Sequence, residues 1–155
     1  MRPMSREDID AILRAIENHT RREILRMLVE GRQYALRMAK ELKTSQQAVM
    51  KHLDVLEEKR IIRRAGEERS ERGAPRKLYE ISKTFSLFID FAPGIFDIRE
   101  YDIESVDIDD LRKEFEGLDA GEILSRIEEE IREMEKRRVK LLKLKEEIIR
   151  DMLRK

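Results

Sequence analysis

The apolar positions of the first sixty residues recur at the three- and four-residue spacing of amphipathic helices. The pattern predicts four short helices. Three of them begin at residues that typically cap a helix N-terminus: Ser5, with Asp8 three positions later, Asn18 and Ser45. Their predicted inward-facing residues are, in chain order, Ile9, Ile12, Leu13 and Ile16; Ile24, Leu25 and Leu28; Ala35, Leu36, Ala39 and Leu42; and Ala48, Val49, Leu53 and Leu56.

A β-hairpin is predicted after the fourth helix. Two strand-like segments lie at residues 61–64 and 77–81, and an arginine-bearing loop from Glu67 to Arg76 joins them. The third and fourth helices are separated by about three residues, which is the length expected of the turn in a helix-turn-helix. This order of elements predicts a winged helix-turn-helix over residues 5–83, mainly α with a small β-hairpin wing.

The exposed face of the fourth helix (about residues 45–58) carries polar and basic side chains where a recognition helix meets base edges in the major groove. Glutamine can pair with adenine, and lysine can reach guanine or a phosphate. Arginines of the wing (67–76) can lie on the backbone or in the minor groove. The candidate DNA-binding residues are Thr44, Ser45, Gln46, Gln47, Met50, Lys51, His52, Arg69, Arg72, Arg76 and Lys77. For His52, a DNA-backbone contact and a half-buried structural position are both open.

An extended, acidic segment is predicted over residues 84–106. Phe85, Leu87, Ile89 and Phe91 alternate with other residues as in a β-strand, which ends at Pro93 and Gly94. One interpretation is an added sheet that covers the wing-side core. The other is a dimer contact or a small effector pocket, although nothing titratable or glycine-rich indicates a ligand.

Residues 107–155 are predicted to form a helical dimerisation region. A short helix begins near Asp107 and ends near Gly117, and a long helix runs from Ala120 to Arg154, about 52 Å at 1.5 Å per residue. Its apolar residues fall on alternating three- and four-residue steps, interrupted by Arg138 and Lys145. An alternative is that it folds back on its own domain. The predicted dimer-interface residues are Ile9, Leu13, Leu124, Ile127, Ile131, Met134, Leu141, Ile148 and Met152.

The charge is balanced overall but unevenly distributed. The 155 residues include 34 basic and 34 acidic side chains, and 44% are charged. Residues 1–83 carry a net charge of +6, residues 84–130 a net charge of −11, and residues 131–155 a net charge of +5. A basic first half favours an acidic partner such as nucleic acid. Abundant charge with scarce Asn and Gln is typical of thermophilic proteins.

The residues that most enzymes and metal sites need are scarce. The chain has no cysteine and two histidines, His19 and His52, which are on different predicted helices. No glycine-rich phosphate loop, nucleophile elbow or carboxylate-plus-histidine motif occurs. Glu128–Glu130 is typical of a solvated helix face, and Asp107–Asp110 of a helix start. We therefore expect no enzyme, no metal and no cofactor. With no apolar run of about 18 residues and no apolar signal core, we expect no membrane association and a cytoplasmic location.

Three segments resemble the ArsR family of winged-helix repressors. Residues 18–25 (NHTRREIL) are similar to the family's Asp-Pro-Thr-Arg opening followed by Ile-Leu, and residues 45–53 (SQQAVMKHL) resemble its recognition helix. Residues 73–79 (GAPRKLY) resemble the wing of archaeal members, among them the sulfur-response regulator. The resemblance covers residues from about 8 to 82 and implies a dimeric, sequence-specific DNA-binding transcription regulator.

The departures from that family concern effector chemistry and one turn. Residues 34–38 (YALRM) hold no thiolate where metal-sensing members bind metal, and the redox switch of the sulfur-response regulator needs cysteines that this chain lacks. Lys59 and Arg60 stand where an Ala-Gly turn is usual, so we expect a less sharp turn there. The resemblance therefore implies the fold and the reading of DNA, without the relatives' sensing chemistry.

The sequence thus predicts a homodimeric transcription regulator whose partners are double-stranded DNA and a second copy of itself. An alternative is a winged helix used for protein contact in a transcription or chromosome assembly, with the long helix as scaffold. Apolar residues would be expected on its recognition face, and Met50 is the only one there. RNA binding is a weaker third hypothesis, since the basic module lacks the aromatic residues on which single-stranded bases stack.

Overall fold

A computed structural model describes residues 5–155. The described chain contains helices, two small sheets and a long C-terminal helix, in the order expected of a winged helix-turn-helix with an added C-terminal region. The elements are α1 (Arg6–Ile16), α2 (His19–Leu28), β1 (Gln33–Tyr34), α3 (Ala35–Leu42), α4 (Gln46–Glu58), β2 (Ile62–Glu68), β3 (Arg76–Ile81), β4 (Phe85–Ala92), β5 (Ile95–Asp102), α5 (Asp109–Glu114) and α6 (Ala120–Leu153).

The three predicted caps begin their helices. At α1, the Ser5 hydroxyl accepts from the Asp8 backbone N–H and the Asp8 carboxylate accepts from the Ser5 backbone N–H, which is a capping box. The Asn18 side chain accepts from the backbone of Arg21 at 3.0 Å, and the Ser45 hydroxyl from that of Ala48 at 3.1 Å. These bonds satisfy N–H groups that have no partner inside the helix.

The wing is the hairpin β2–β3. Strand β3 lies in the middle of an antiparallel sheet of order β1-β3-β2, with Tyr79 opposite both Gln33 and Arg64. The register shifts between Arg64 and Glu67, where Gly66 has a positive φ. The bulge increases the local twist of the strand that leads into the wing loop.

The turn after α4 is tight, contrary to the expectation that Lys59 and Arg60 make it less sharp. Arg60 adopts a left-handed conformation, with φ 59°. The N–H of Ile61 donates to the Leu56 carbonyl at 3.0 Å and that of Arg60 to the Glu57 carbonyl at 2.9 Å, which is a Schellman-type ending. The geometry usually given by glycine is retained here by a residue with a side chain.

The chain divides into two compact units. The first extends to Ser86 and includes Glu100–Glu104. Its core is built mainly from the predicted inward faces of the four helices together with residues of β2 and β3. Ala15 of α1 and Met38 of α3 are also fully buried, although they were not predicted to face inward. The largest fully buried side chains are Ile12, Ile24, Met38, Val49, Leu53, Leu56, Ile62 and Tyr79.

The second unit comprises Leu87–Arg99 and Ser105–Lys155. It contains α5, α6 and the tip of the β4–β5 hairpin, which forms a separate two-stranded sheet. Gly94, with φ 76°, lies directly against the Ile149 side chain of α6, so a larger residue at the hairpin turn would collide with that helix. The alternation along β4 predicted a strand but did not predict this packing. Among residues 5–155, no helix has the combination of length and hydrophobicity needed to cross a membrane.

Candidate nucleic-acid interface

The predicted recognition face of α4 is open to solvent. Helices α3 and α4 are joined by residues 43–45, and the opposite side of α4 is anchored by buried Val49, Leu53 and Leu56. That anchoring side fixes which residues point outward. Five of the predicted contact residues of α4 and the turn before it are exposed, and Met50 is half-buried beside them; the exposed ones are Thr44, Ser45, Gln46, Gln47 and Lys51.

The wing arginines are available as cations. Arg69, Arg72 and Lys77 are exposed, and within residues 5–155 none of them forms an ion pair, nor does Lys51. Two arginines near the sheet, Arg32 just before β1 and Arg63 on β2, are paired with an acidic residue. Arg32 and Arg63 donate to the two carboxylate oxygens of Glu80 at 2.9 and 2.8 Å. These donors hold the pKa of the Glu80 carboxyl below its usual value. Within residues 5–155, the wing and α4 therefore both carry positive charge that is not in an ion pair with the protein itself.

Arg76 has a fixed position at the base of the wing. Its guanidinium lies 4.5 Å from the centroid of the Tyr34 ring, and the side chain is half-buried. A cation stacked on an aromatic face gains attraction from the ring and loses rotational freedom. The stacked arginine keeps its remaining edge N–H groups for an acceptor such as a phosphate oxygen.

A cleft of about 410 Å³ separates the recognition helix from the wing. Gln46 and Met50 of α4 line one side, and Arg72, Arg76 and Lys77 line the other. The N-terminal part of α4 and three wing cations thus border one concave surface. Such a surface places base-reading groups next to groups that can neutralise phosphates.

Arg21 connects the recognition helix to the end of α1. The buried guanidinium donates from Nη2 to the Arg14 carbonyl at 2.7 Å and from Nε to the Ala15 carbonyl at 3.1 Å. Carbonyls in the last turn of a helix have no partner within it, so Arg21 completes the ending of α1. Its Nη1 lies 3.4 Å from Nδ1 of His52 on α4. This contact could not be predicted from the sequence, because Arg21 and His52 are 31 positions apart.

His52 is half-buried against Arg21, which agrees with the structural interpretation of this residue. Burial, and secondarily the charge of Arg21, lower the pKa of the His52 imidazole below 6.5. A neutral ring can accept from Arg21 at Nδ1, whereas a protonated ring cannot. The contact therefore favours neutral His52 and a fixed position for the middle of α4.

The predicted dimer-interface residues occupy two locations. Ile9 and Leu13 are half-buried on α1, and Ile127 is half-buried on α6. The remaining predicted residues of α6 are more than half exposed: Leu124, Ile131, Met134, Leu141, Ile148 and Met152. An apolar stripe is thus present and uncovered in the single chain.

Arg138, the residue predicted to interrupt that stripe, has a tertiary partner that the sequence did not predict. The Arg138 guanidinium donates to the buried Asp90 carboxylate at 2.5 Å and lies 4.7 Å from the Phe88 ring centroid. Asp90 also accepts from Arg99, and these arginines hold the pKa of its carboxyl below the usual value. The side chain therefore belongs to the contact between α6 and the β4–β5 hairpin, a tertiary pairing that spacing along one helix does not reveal.

Comparison with known proteins agrees with this geometry for the central part of the chain. Residues 16–65, from the end of α1 into β2, match a family described as a helix-turn-helix domain. No curated protein matches the sequence.

Solved structures to which the chain is similar include two of HlyU from Vibrio cholerae N16961. Reduced HlyU is 23% identical, with a TM-score of 0.43, over 50% of this chain and 75% of that one. The other HlyU structure is 23% identical, with a TM-score of 0.42, over 52% and 84%. An ArsR family transcriptional regulator is 25% identical, with a TM-score of 0.41, over 52% and 76%.

Proposed function

We propose that this chain is a cytoplasmic, sequence-specific transcription regulator of the ArsR type, similar to archaeal members, that binds double-stranded DNA as a homodimer. In this proposal α4 enters the major groove and the wing lies on the backbone or in the minor groove. The observation that carries it is the cleft that Gln46 and Met50 share with the wing cations Arg72, Arg76 and Lys77. Gln47 and Lys51 are exposed on the same helix, and no wing cation of this cleft is in an ion pair within residues 5–155. Neutralised phosphates supply affinity and base edges supply specificity.

The proposed homodimer uses α6 as its main interface. A single winged helix reads about half of an operator, and a two-fold partner places a second recognition helix one helical turn away. The uncovered apolar stripe of α6 supports this arrangement, since a stripe of that length in water is stabilised by a partner. The proposal assigns no effector, and without cysteine we expect DNA binding to be insensitive to thiol oxidants and thiophilic metals.

The test separates base reading from phosphate binding. Genomic fragments bound by the protein are selected, and variants are titrated on a selected and an unrelated duplex. Gln47→Ala and Lys51→Ala are expected to reduce the preference for the selected site, by about 1–3 kcal/mol where a base contact is lost. Arg72→Ala is expected to weaken binding to both duplexes similarly. Arg63→Ala is the matched control, because this arginine is already paired with Glu80.

Two results would contradict the proposal. One is the absence of binding to any duplex fragment at low salt. The other is an equal effect of Arg63→Ala and Arg72→Ala, which would show that the unpaired wing charge does not matter. Retention of unrelated proteins in place of DNA would favour a protein-docking winged helix.

A further inference from the structure

The second unit has almost no fully buried apolar side chain. Of the hydrophobic side chains in residues 87–99 and 105–155, all of which the structure describes, Ile95 alone is buried. Exposed large hydrophobic residues lie on both α5 and α6. A small unit without an interior gains little from folding by itself, so its apolar surface needs another surface to cover it.

An apolar groove runs between α5 and the N-terminal half of α6. Leu111 and Phe115 line it from α5, and Ile123, Ile127 and Met134 line it from α6. Its volume is about 690 Å³, and it is open along one side. Glu130 stands at its edge.

The same side of α6 continues as an uncovered stripe in the C-terminal half. Ile127, Met134, Leu141 and Ile148 follow each other at intervals of seven residues, which keeps them on one side of the helix. Leu141 and Ile148 are each 52% exposed. The β4–β5 hairpin does not cover them, because it packs on a different side of α6; that side carries Arg138, Leu142, Glu146 and Ile149. One side of α6 is therefore a groove in its first half and a ridge in its second.

The charges of α6 also differ between its N-terminal and C-terminal halves. Residues 120–135 contain six acidic and two basic side chains, whereas residues 136–155 contain nine basic and three acidic ones. In a parallel pair of such helices, acidic halves and basic halves would each lie beside their like. In an antiparallel pair, each acidic half would lie beside a basic half, which lowers the electrostatic energy.

We propose that two copies of α6 pair antiparallel in the homodimer, and that the Leu141–Ile148 stripe of each copy fills the α5–α6 groove of the other. The occupant of the groove is thus a second copy of this chain. A two-fold axis near Lys136 produces two identical groove-and-stripe contacts, which is the self-complementary form of a closed dimer. Parallel pairing would set groove against groove and leave both unfilled. The proposal rests on the homodimer proposed above and adds its orientation and its contact surface.

The absence of cysteine allows a direct measurement of the orientation. Ser125→Cys places a single nitroxide label near the N-terminus of α6 in full-length protein. Antiparallel pairing centred near Lys136 separates the two labels by about 22 residues, or about 33 Å along the axis. Parallel pairing brings them within about 20 Å, since paired helices lie 8–10 Å apart and the label arms add the rest. Lys136→Cys is the control, with a short distance in either orientation.

The outcomes of pulsed electron paramagnetic resonance are distinct. A long distance for Ser125→Cys together with a short one for Lys136→Cys supports the antiparallel pair. Short distances at both positions overturn it while leaving the homodimer intact. No dipolar coupling at either position, with a monomeric mass by light scattering, overturns the homodimer itself.

Charge reversal provides a second measurement. Glu128 and Glu130 flank the apolar side of α6, whereas Glu129 points away from it. Glu128→Lys combined with Glu130→Lys is expected to raise the dimer dissociation constant at least about tenfold at low salt, because basic residues of the partner would then face new lysines. Glu129→Lys is the matched control and is expected to change it less than about threefold. Equal, small effects of both variants would contradict the antiparallel pairing, and circular dichroism checks that each variant remains helical.

Discussion

Replacing Arg21 by alanine is expected to be strongly destabilising, although this arginine is on a helix and carries a charge. Its side chain is only 11% exposed. It supplies hydrogen bonds to the Arg14 and Ala15 carbonyls and contacts His52. The alanine variant leaves two carbonyls at the end of α1 without a donor and removes a link to α4.

The expected loss follows from the number and type of these bonds. A hydrogen bond from a charged donor contributes about 1.5–3 kcal/mol to stability, and an unsatisfied buried group adds a penalty of similar size. Water can reach part of the vacated space, since the Arg14 carbonyl bond is only partly buried. We therefore expect Arg21→Ala to lower the free energy of unfolding by about 3 kcal/mol, a large share of the 5–15 kcal/mol of a typical domain.

Arg26→Ala is the control for this prediction. Arg26 is on the same helix, its side chain is 68% exposed, and within residues 5–155 its one ion pair is with Glu23, so its removal is expected to cost less than about 1 kcal/mol. Urea unfolding followed by circular dichroism at a fixed protein concentration gives both values. A loss below about 1 kcal/mol for Arg21→Ala, or one equal to that of Arg26→Ala, would refute the assigned role of Arg21.

Three further predictions concern single residues. Arg60→Gly is expected to raise the free energy of unfolding by about 0.5–1 kcal/mol, because the left-handed φ of 59° strains a residue with a Cβ. Lys59→Gly, at a position with φ −81°, is expected to lower the free energy of unfolding. Urea unfolding measures both changes. The pKa of His52 is lower in the folded protein, so the contribution of His52 to stability is complete above about pH 7 and is lost as the pH falls through 6.5 and below. The free energy of unfolding, measured from pH 5 to 8, is expected to depend less on pH in His52→Asn than in the unaltered protein. Tyr34→Ala is expected to weaken DNA binding roughly threefold on every sequence, because it removes the ring on which Arg76 stacks. Tyr34→Phe keeps the ring and is expected to leave binding unchanged. Filter binding on two duplexes tests this, and equal affinities for both variants would count against the stacking.

The helix-turn-helix could be predicted because its determinants are local. Ser45 caps the N-terminus of α4, where its hydroxyl accepts from the backbone N–H of Ala48, three positions later. The apolar spacing that follows determines which side of the helix is buried. Once that side is known, the outward position of Gln47 and Lys51 follows from helical geometry. The same reasoning identified the long helix and the exposed stripe along it.

The contacts that fasten these elements together could not be predicted, because they join residues far apart in the sequence. Arg21 reaches His52 across 31 positions, and Arg138 reaches Asp90 across 48. Within one helix, Arg138 is simply a charge on an apolar stripe, and only the β4–β5 hairpin supplies its partner. The tight turn at Arg60 was missed for a different reason: the backbone hydrogen bonds of the helix ending hold a non-glycine residue in a conformation that its intrinsic preference disfavours.

The central claim is that the α4–wing surface binds duplex DNA through phosphate neutralisation combined with base contacts. Titrating one selected palindromic duplex at several salt concentrations tests this claim most directly. If a dimer neutralises about six phosphates, the logarithm of the binding constant is expected to fall with the logarithm of the salt concentration with a slope of roughly −5. The selected duplex is expected to bind more tightly than an unrelated one at every salt concentration. A slope near zero, or equal affinity for both duplexes throughout, would contradict the account.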